Sequence, residues 1–245
     1  MNHPPNKHHH TMNTLNLTLP TGWNELTDAQ LTYVAHLTAH GFSPDQVKLC
    51  LLMRLNHLRP TRAMDGHTWQ FRHRSRTITA DTTHLRDTLN TLGWLDTPPT
   101  HPMRPARLGR ASAIDAHLHG VPFSTYLRLV NLYQGYIISR NTEATDRMAA
   151  ILYPRIRLPR HTATLHTLCI WWMAALMQHF AQHFTHLFAT APTTTESPDP
   201  ERTMNTMLAA LTAGDITKEA EVLRTDTWRA LTYLDQMAEE AAKIK

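Results

Sequence analysis

The sequence is poor in residues that break or cross-link a chain, and it lacks the common signatures of catalysis. Of its 245 residues only two are cysteines and eight are glycines. Cys50 and Cys169 both lie in apolar stretches, where a buried thiol is more typical than a disulfide. There is no Gly-rich phosphate loop, dinucleotide-binding fingerprint, zinc-type cysteine pair or nucleophile elbow. We therefore predict no cofactor and no catalytic residue, and we expect a protein that acts by binding.

Long hydrophobic runs are also missing. The most apolar stretch, residues 168–177, is followed by Gln and His, whereas a helix that spans a bilayer needs about 20 apolar residues. Residues 1–10 are polar and lack the apolar segment of a secretory signal. We expect a cytoplasmic protein that does not contact a membrane.

Charge is unevenly distributed along the chain. Residues 1–110 contain twelve Lys and Arg against seven Asp and Glu, whereas residues 201–245 contain six against eight. The positive excess in the first part is mild, and it favours a solvated surface over an anion-binding one.

The strongest structural pattern is a helical stretch over residues 162–189, which contains neither Pro nor Gly. Its apolar residues fall on one broad stripe, and His179, His183 and His186 fall on the opposite side. A helix of this length would be about 40 Å long, enough to cross a small domain. The predicted fold is mainly α: a multi-helix bundle around a long central helix, with one small β-hairpin.

Helix-start signals organise the first part of the chain. Capping boxes at Thr27 and Ser43 predict helices over about 27–40 and from 43 to about 58, joined as an αα-hairpin. The apolar period then changes to two, which predicts a β-hairpin turning near Arg74 and Ser75. Asp81 is expected to cap the next helix.

Composition suggests several segments along the chain. Pro, Arg and Thr are concentrated in stretches that we predict to be linkers. Further helices are predicted from Pro122 to about 139, from Asn141 or Thr142, and in three short pieces at the C-terminus. The predicted organisation is a disordered tail (1–16), an N-terminal αα-hairpin, β-hairpin and helix (17–95), a Pro/Arg linker (96–110), a central helical domain (111–190), a linker (191–200) and a semi-independent C-terminal helical segment (201–245).

The C-terminal segment carries an apolar stripe that we predict to be a partner-binding face. Its candidate residues are Met204, Met207, Leu211, Trp228 and Leu231. Short helices make a marginal core, so this stripe needs a covering surface. That surface is either the chain's own central helix or a partner. Packing on the same chain is favoured slightly, because it acts at high effective concentration.

A basic run suggests an alternative function. Arg54, Arg59, Arg62, Arg72, Arg74 and Arg76 occur with Trp69 and Phe71 interleaved, as in proteins that bind single-stranded nucleic acid. The candidate nucleic-acid-binding residues are Arg62, Trp69, Arg72, Arg74 and Arg76. The stronger interpretation is structural, because the same two aromatic residues would fill the buried face of a hairpin.

Two clusters of polar residues have the composition of reactive sites. The spacing of His179, His183 and His186 places three imidazoles on one helix face, and two His at i and i+4 can share a zinc ion. Phe180 stands where a zinc hydrolase of that pattern needs Glu. A second grouping, of Ser112, Asp115, His117 and His119, also lacks a supporting motif. A solvated polar helix face explains the first cluster better than a metal site, and catalysis by the second is unsupported.

Three stretches resemble small proteins from the structural modules of Bacteroidales phages and prophages. They are LPTGWNELT at 19–27 with Gln30 and Leu31, LYQGY at 132–136, and ALTAGDITKE at 210–219 followed by Val222, Leu223 and DTWRAL at 226–231. These proteins are similar to tail assembly chaperones. The resemblance implies a non-enzymatic assembly protein that binds a phage structural protein such as the tape measure or the tail tube, and it transfers no functional residue. A basic nucleic-acid-binding protein of a mobile element is the alternative.

Overall fold

The structure, a computed structural model, describes residues 17, 19–64, 68–156, 162–189 and 200–243, without the side chains of residues 62–64, 162, 200 and 201. The predicted tail 1–16 lies outside the described residues, as does the predicted linker 191–200 except for Pro200. The chain divides into two compact units. Unit 1 comprises Met1–Leu26 and Gly41–Thr97, and unit 2 comprises Thr27–His40 and Pro98–Lys245.

Helices dominate the described residues, which confirms the predicted mainly α class. The described helices are α1 (Asp28–Ala39), α2 (Pro44–Leu55), α3 (Thr82–Asn90), α4 (Phe123–Ser139), α5 (Thr142–Leu152), α6 (Thr162–His183), α7 (Thr185–Ala189), α8 (Pro200–Thr212), α9 (Glu219–Arg224) and α10 (Thr227–Lys243). The described strands are β1 (Leu58–Met64), β2 (Thr68–His73), β3 (Arg76–Asp81), β4 (Arg107–Leu108) and β5 (Ala111–Ser112).

The starts of the first two helices confirm the predicted capping boxes. The side chains of Thr27 and Ser43 accept hydrogen bonds from the backbone N–H groups of Gln30 and Gln46, and both glutamines return the bond. The predicted αα-hairpin, however, is divided between the units. Helix α1 lies with α6 in unit 2, where the ring nitrogen Nδ1 of His36 is 3.1 Å from Oγ1 of Thr164. Although only a short connection joins α1 and α2, the apolar faces of the two helices pack in different units.

Unit 1 contains an antiparallel sheet of three strands in the order β1–β2–β3. The predicted hairpin is β2–β3, and it turns at Arg74 and Ser75 as expected. Strand β1 was not predicted, because Pro60 indicated the end of a helix. Pro60 is tolerated since β1 is at the edge of the sheet, next to an irregularity in register between Pro60 and Arg62. The buried apolar side chains of this unit include Val47, Leu51, Leu52, Phe71, Ile78 and Leu92.

Helix α6 lies at the core of unit 2, as predicted for the central helix. Its buried face carries Trp172, Met173 and Phe180, none of which is exposed. The predicted single helix over 162–189 is interrupted at Phe184, and α7 follows. A tertiary contact coincides with this break, since the backbone N–H of Leu187 donates to Oδ1 of Asp235 at 2.8 Å. Periodicity within one segment could not reveal an acceptor that lies 48 residues away.

The predicted linker 96–110 contains the boundary between the two units, which falls between Thr97 and Pro98. Its remaining residues are held within unit 2. The hydroxyl of Tyr153 donates to the carbonyl of Pro105 at 2.9 Å, and the backbone N–H of Ala106 donates to Asp28 at 2.6 Å. A Pro-rich stretch has few backbone donors of its own, but its carbonyls and rings can still be packed.

The C-terminal helices share the core of unit 2, a different arrangement from the predicted semi-independent segment. Their buried residues include Leu208, Ala230, Leu231 and Leu234, and they belong to one cluster with residues of α4, α5 and α6. Between α8 and α9, Asp215 caps the short 3₁₀ helix Ile216–Lys218, where its carboxylate accepts the backbone N–H of Thr217 at 3.0 Å.

Candidate functional site

A wide concavity in unit 1 gathers most of the predicted arginines. Its volume is about 970 Å³. The residues that line it are Met53, Arg54, His57, Leu58, Arg59, Arg72, Arg74 and Ser75. We call this concavity the basic groove.

The local fold brings these residues to one end of the sheet. Helix α2 ends at Leu55, and the chain enters β1 through His57, whose φ of 51° is in the left-handed region. The β2–β3 turn lies at the same end, because Leu58 pairs with His73 in the antiparallel register. Arg74 in that turn also has a positive φ, of 54°. Two tight turns therefore border the groove.

Like charges face each other across this part of the sheet. Arg59 and Arg72 are directly paired on neighbouring strands, so their side chains point to the same face. Both are exposed, and no carboxylate of a described residue lies within 4.0 Å of the guanidinium of Arg59, Arg72 or Arg74. Opposed like charges destabilise a strand pair. An anion bound in the groove would remove this repulsion.

The aromatic residues of the nucleic-acid hypothesis lie on the opposite face of the sheet from the paired Arg59 and Arg72. Trp69 and Phe71 lie on the face of β2 opposite to Arg72, since alternate residues of a strand point to opposite sides. Phe71 is buried in the core, and Trp69 is 36% exposed. The predicted interleaving in sequence therefore does not produce a mixed basic and aromatic surface. Phe71 fills the buried face as the sequence predicted, whereas Trp69 lies on the same side of the strand but is exposed.

The remaining predicted residues are distributed around the groove. Arg74 lines it, and Arg76, paired with His73, is exposed two residues further along. The side chain of Arg62 lies outside the described residues. His57 lines the groove but was missed, because it follows a helix whose end the sequence placed at about residue 58.

The predicted C-terminal stripe is covered by its own chain. Leu231 is completely buried in the core of unit 2. Met204, Met207, Leu211 and Trp228 are partly buried and pack against the same core. Of the two alternatives for this stripe, the structure has the intramolecular one, and Leu231 offers no surface that a partner could reach.

The predicted histidine face contributes to an aromatic cluster around Trp228. His119 stacks on the indole ring at a centroid distance of 4.5 Å, and His183 meets the same ring edge-on at 4.8 Å. The rings of His117 and His179 are 4.9 Å apart. The indole N–H of Trp228 donates to the carbonyl of His117 at 2.5 Å. Two loop histidines thus meet two helix histidines at the start of α10.

Neither proposed reactive arrangement is present in this cluster. Asp115 accepts the backbone N–H groups of His117 and His119, so its carboxylate shapes the turn. His186 is directed elsewhere, with Nδ1 at 3.5 Å from Asp235. Across the residues that the structure describes, no group of three or more His, Cys, Asp or Glu side chains is placed to hold a metal ion.

The cluster predicts that unit 2 loses stability in mild acid. Burial lowers the pKa of His179 below its usual 6.5, and the neighbouring His117, His183, His101 and His119 lower it further. A base with a lowered pKa binds fewer protons in the folded state than in the unfolded state. Stability is therefore full above about pH 6.5 and declines as the pH falls through the folded-state pKa.

Urea denaturation at a series of pH values between 7.5 and 5 measures this effect. We expect the midpoint to decrease toward pH 5, and we expect the variant His179→Gln to show a shallower decrease because it lacks the titrating ring. An equal slope for the two proteins would show that His179 does not link protonation to folding.

The described part of the chain has no helix that combines the length and the apolarity required to cross a bilayer. Comparison with known proteins adds no relative to these observations: no protein-family model, curated protein or solved structure matches this chain.

Proposed function

We propose that this chain is a non-enzymatic assembly protein of a phage or prophage structural module, acting in the host cytoplasm by binding another virion protein. The observation that carries the proposal is its resemblance to proteins similar to tail assembly chaperones. Two of the resembling stretches, 132–136 and 210–231, are far apart in sequence, and both belong to the helical body of unit 2.

Specific hydrogen bonds join the elements that carry these stretches. At the start of α4, the backbone N–H of Phe123 donates to the carbonyl of Thr225 at 2.8 Å. The backbone N–H and the hydroxyl of Thr227 both donate to the carbonyl of Val121, at 2.9 and 2.7 Å. The N–H of Gly120 donates to Asp226 at 2.7 Å. The elements that carry these two stretches are therefore bonded to each other, which supports a shared role for the two.

The partner surface that we propose is at the end of α4. Ile137 and Ile138 are 43% and 67% exposed, and they directly follow the resembling stretch 132–136. These two adjacent isoleucines give the end of α4 an apolar patch that a protein partner could cover. This surface replaces the C-terminal stripe as the proposed contact, since the stripe is covered by its own chain.

Affinity purification from infected or induced cells tests the proposal. We expect the tagged protein to recover a virion protein such as the tape measure or the tail tube. The double variant Ile137→Ser, Ile138→Ser should lose that partner and remain folded, because neither side chain is buried. Tyr233→Ser is the matched control, since Tyr233 is 53% exposed on α10 and lies outside the resembling stretches.

Recovery of host metabolic proteins alone would contradict the assembly function. Equal loss of the partner in the double variant and in the control would contradict the α4 surface. The position of the gene is a further check, because the proposal expects it between the genes for the tail tube and the tape measure.

A further inference from the structure

We propose that the basic groove of unit 1 is a binding site for the phosphate backbone of nucleic acid, read without regard to base sequence. The proposal concerns a different unit from the assembly surface on α4, so either can fail without the other. It rests on the arrangement of charge, on the polar character of the exposed sheet face and on the absence of Trp, Tyr and Phe from the described residues that line the groove.

The charge of the groove lining favours a phosphate ligand. Four of the eight described residues that line the groove are arginines, and His57 adds a fifth basic side chain. A guanidinium has a planar set of donors that can bind two oxygens of one phosphate. Because Arg59 and Arg72 are cross-strand partners, their guanidinium groups can bind neighbouring phosphates of one nucleic-acid strand.

The size of the groove favours a polymer as the ligand. A concavity of about 970 Å³ is far larger than a single phosphate requires, and it equals the upper end of typical small-ligand pockets, which are about 300–1,000 Å³. Such a volume fits a segment of a polymer better than an isolated anion. Repulsion between Arg59 and Arg72 is relieved most when each guanidinium has its own phosphate.

The chemistry of the surroundings favours nucleic acid over an acidic protein. The same sheet face continues from Arg72 to Gln70, Thr77 and Thr79. Amide and hydroxyl groups of this kind commonly bind phosphate and sugar oxygens. A protein partner would gain most of its affinity from apolar and aromatic anchors at the centre of the interface, and the aromatic residues of β2 are on the opposite face.

The described residues that line the groove include no Trp, Tyr or Phe, and this defines the mode of binding. Base stacking on Trp69 would require a ligand to reach the other face of the sheet, so contacts in the groove are to phosphates. Binding should therefore be independent of sequence and strongly dependent on salt. Each phosphate contact contributes about −0.7 to the salt slope for single strands and about −0.9 for duplex DNA.

Fluorescence anisotropy with a labelled 20-nucleotide single strand and the matching duplex tests the proposal on the full chain. At low salt we expect saturable binding of at least one of the two. The variant Arg59→Gln, Arg72→Gln should bind at least about tenfold more weakly, and its salt slope should be smaller by about 1.4–1.8, the value for two lost phosphate contacts.

A matched control removes the same charge elsewhere. Arg86 and Arg128 are exposed on α3 and α4, and Arg86→Gln, Arg128→Gln changes the net charge equally. We expect this control to bind within about twofold of the unchanged protein. The groove variant should also be at least as resistant to urea as the unchanged protein, because it relieves the repulsion between Arg59 and Arg72. Such a result would exclude unfolding as the cause of the lower affinity.

Three results would overturn the proposal. The first is no binding of either DNA at low salt. The second is an equal loss of affinity in the groove variant and in the charge-matched control, which would indicate attraction by net charge alone. The third is displacement of DNA by polyglutamate at equal or lower charge concentration, which would indicate an acidic protein as the ligand.

Discussion

Replacement of Leu231 by Ala is expected to lower the free energy of unfolding by about 2–5 kcal/mol. Leu231 lies on α10, is completely buried and belongs to the core of unit 2. Truncation removes apolar contacts and leaves a cavity that the surrounding helices fill only in part. The effect should appear as a lower urea midpoint by circular dichroism, with greater exposure of apolar surface to a hydrophobic dye.

Tyr233→Ala is the matched control on the same helix. Its side chain is 53% exposed, so the loss should stay within about 0.5 kcal/mol. Equal effects for the two variants would contradict the packing of α10 on unit 2. A Leu231→Ala protein of unchanged stability that no longer recovers its partner would instead support the partner-binding interpretation of the C-terminal stripe.

Local signals in the sequence predict the helices well. The capping boxes at Thr27 and Ser43, and the caps at Asp81 and Asn141, mark true helix starts. Each depends on side chains within three residues of the backbone groups that they satisfy, so a short window contains all the necessary information.

Interactions between residues that are distant in sequence account for the differences between the predicted and the observed fold. The sequence shows no break in the central helix, because the acceptor for the N–H of Leu187 is Asp235. Strand β1 forms against β2 although it contains Pro60, since the edge of a sheet does not need every N–H. The distribution of α1 and α2 between two units likewise depends on which apolar face each helix meets.

The candidate sites also depend on contacts between residues that are distant in sequence. The arginines of the groove are visible as a basic run, but strand register determines that Arg59 opposes Arg72 and that Trp69 points away from both. The histidines appear in sequence as two separate pairs. Only the packing of a loop against α6 and α10 brings His117 to within 4.9 Å of His179, measured between ring centroids. A basic run is a sequence feature, whereas a groove or a cluster depends on tertiary contacts.

The packing of this loop against α6 and α10 depends strongly on Trp172. Substitution of Trp172 is the second change for which we expect a large loss of stability. Its indole ring is completely buried in α6, and Nε1 donates to the carbonyl of Ala116 at 2.9 Å. Trp172→Ala should cost about 3–5 kcal/mol, since it creates a large cavity in the core. Trp172→Phe keeps most of the ring volume, and should cost about 1–3 kcal/mol because the carbonyl of Ala116 loses its donor.

Urea denaturation followed by circular dichroism measures both variants, and Trp171→Phe is the control. Trp171 is adjacent on the same helix and is only partly buried, so the same change of residue type should cost less than at Trp172. Hydrogen exchange gives a second measurement, because the backbone N–H groups of His117 and His119 should exchange faster in Trp172→Phe as the loop loses its attachment. Unchanged exchange in the loop would show that the bond from Trp172 to Ala116 does not hold the histidine cluster in place.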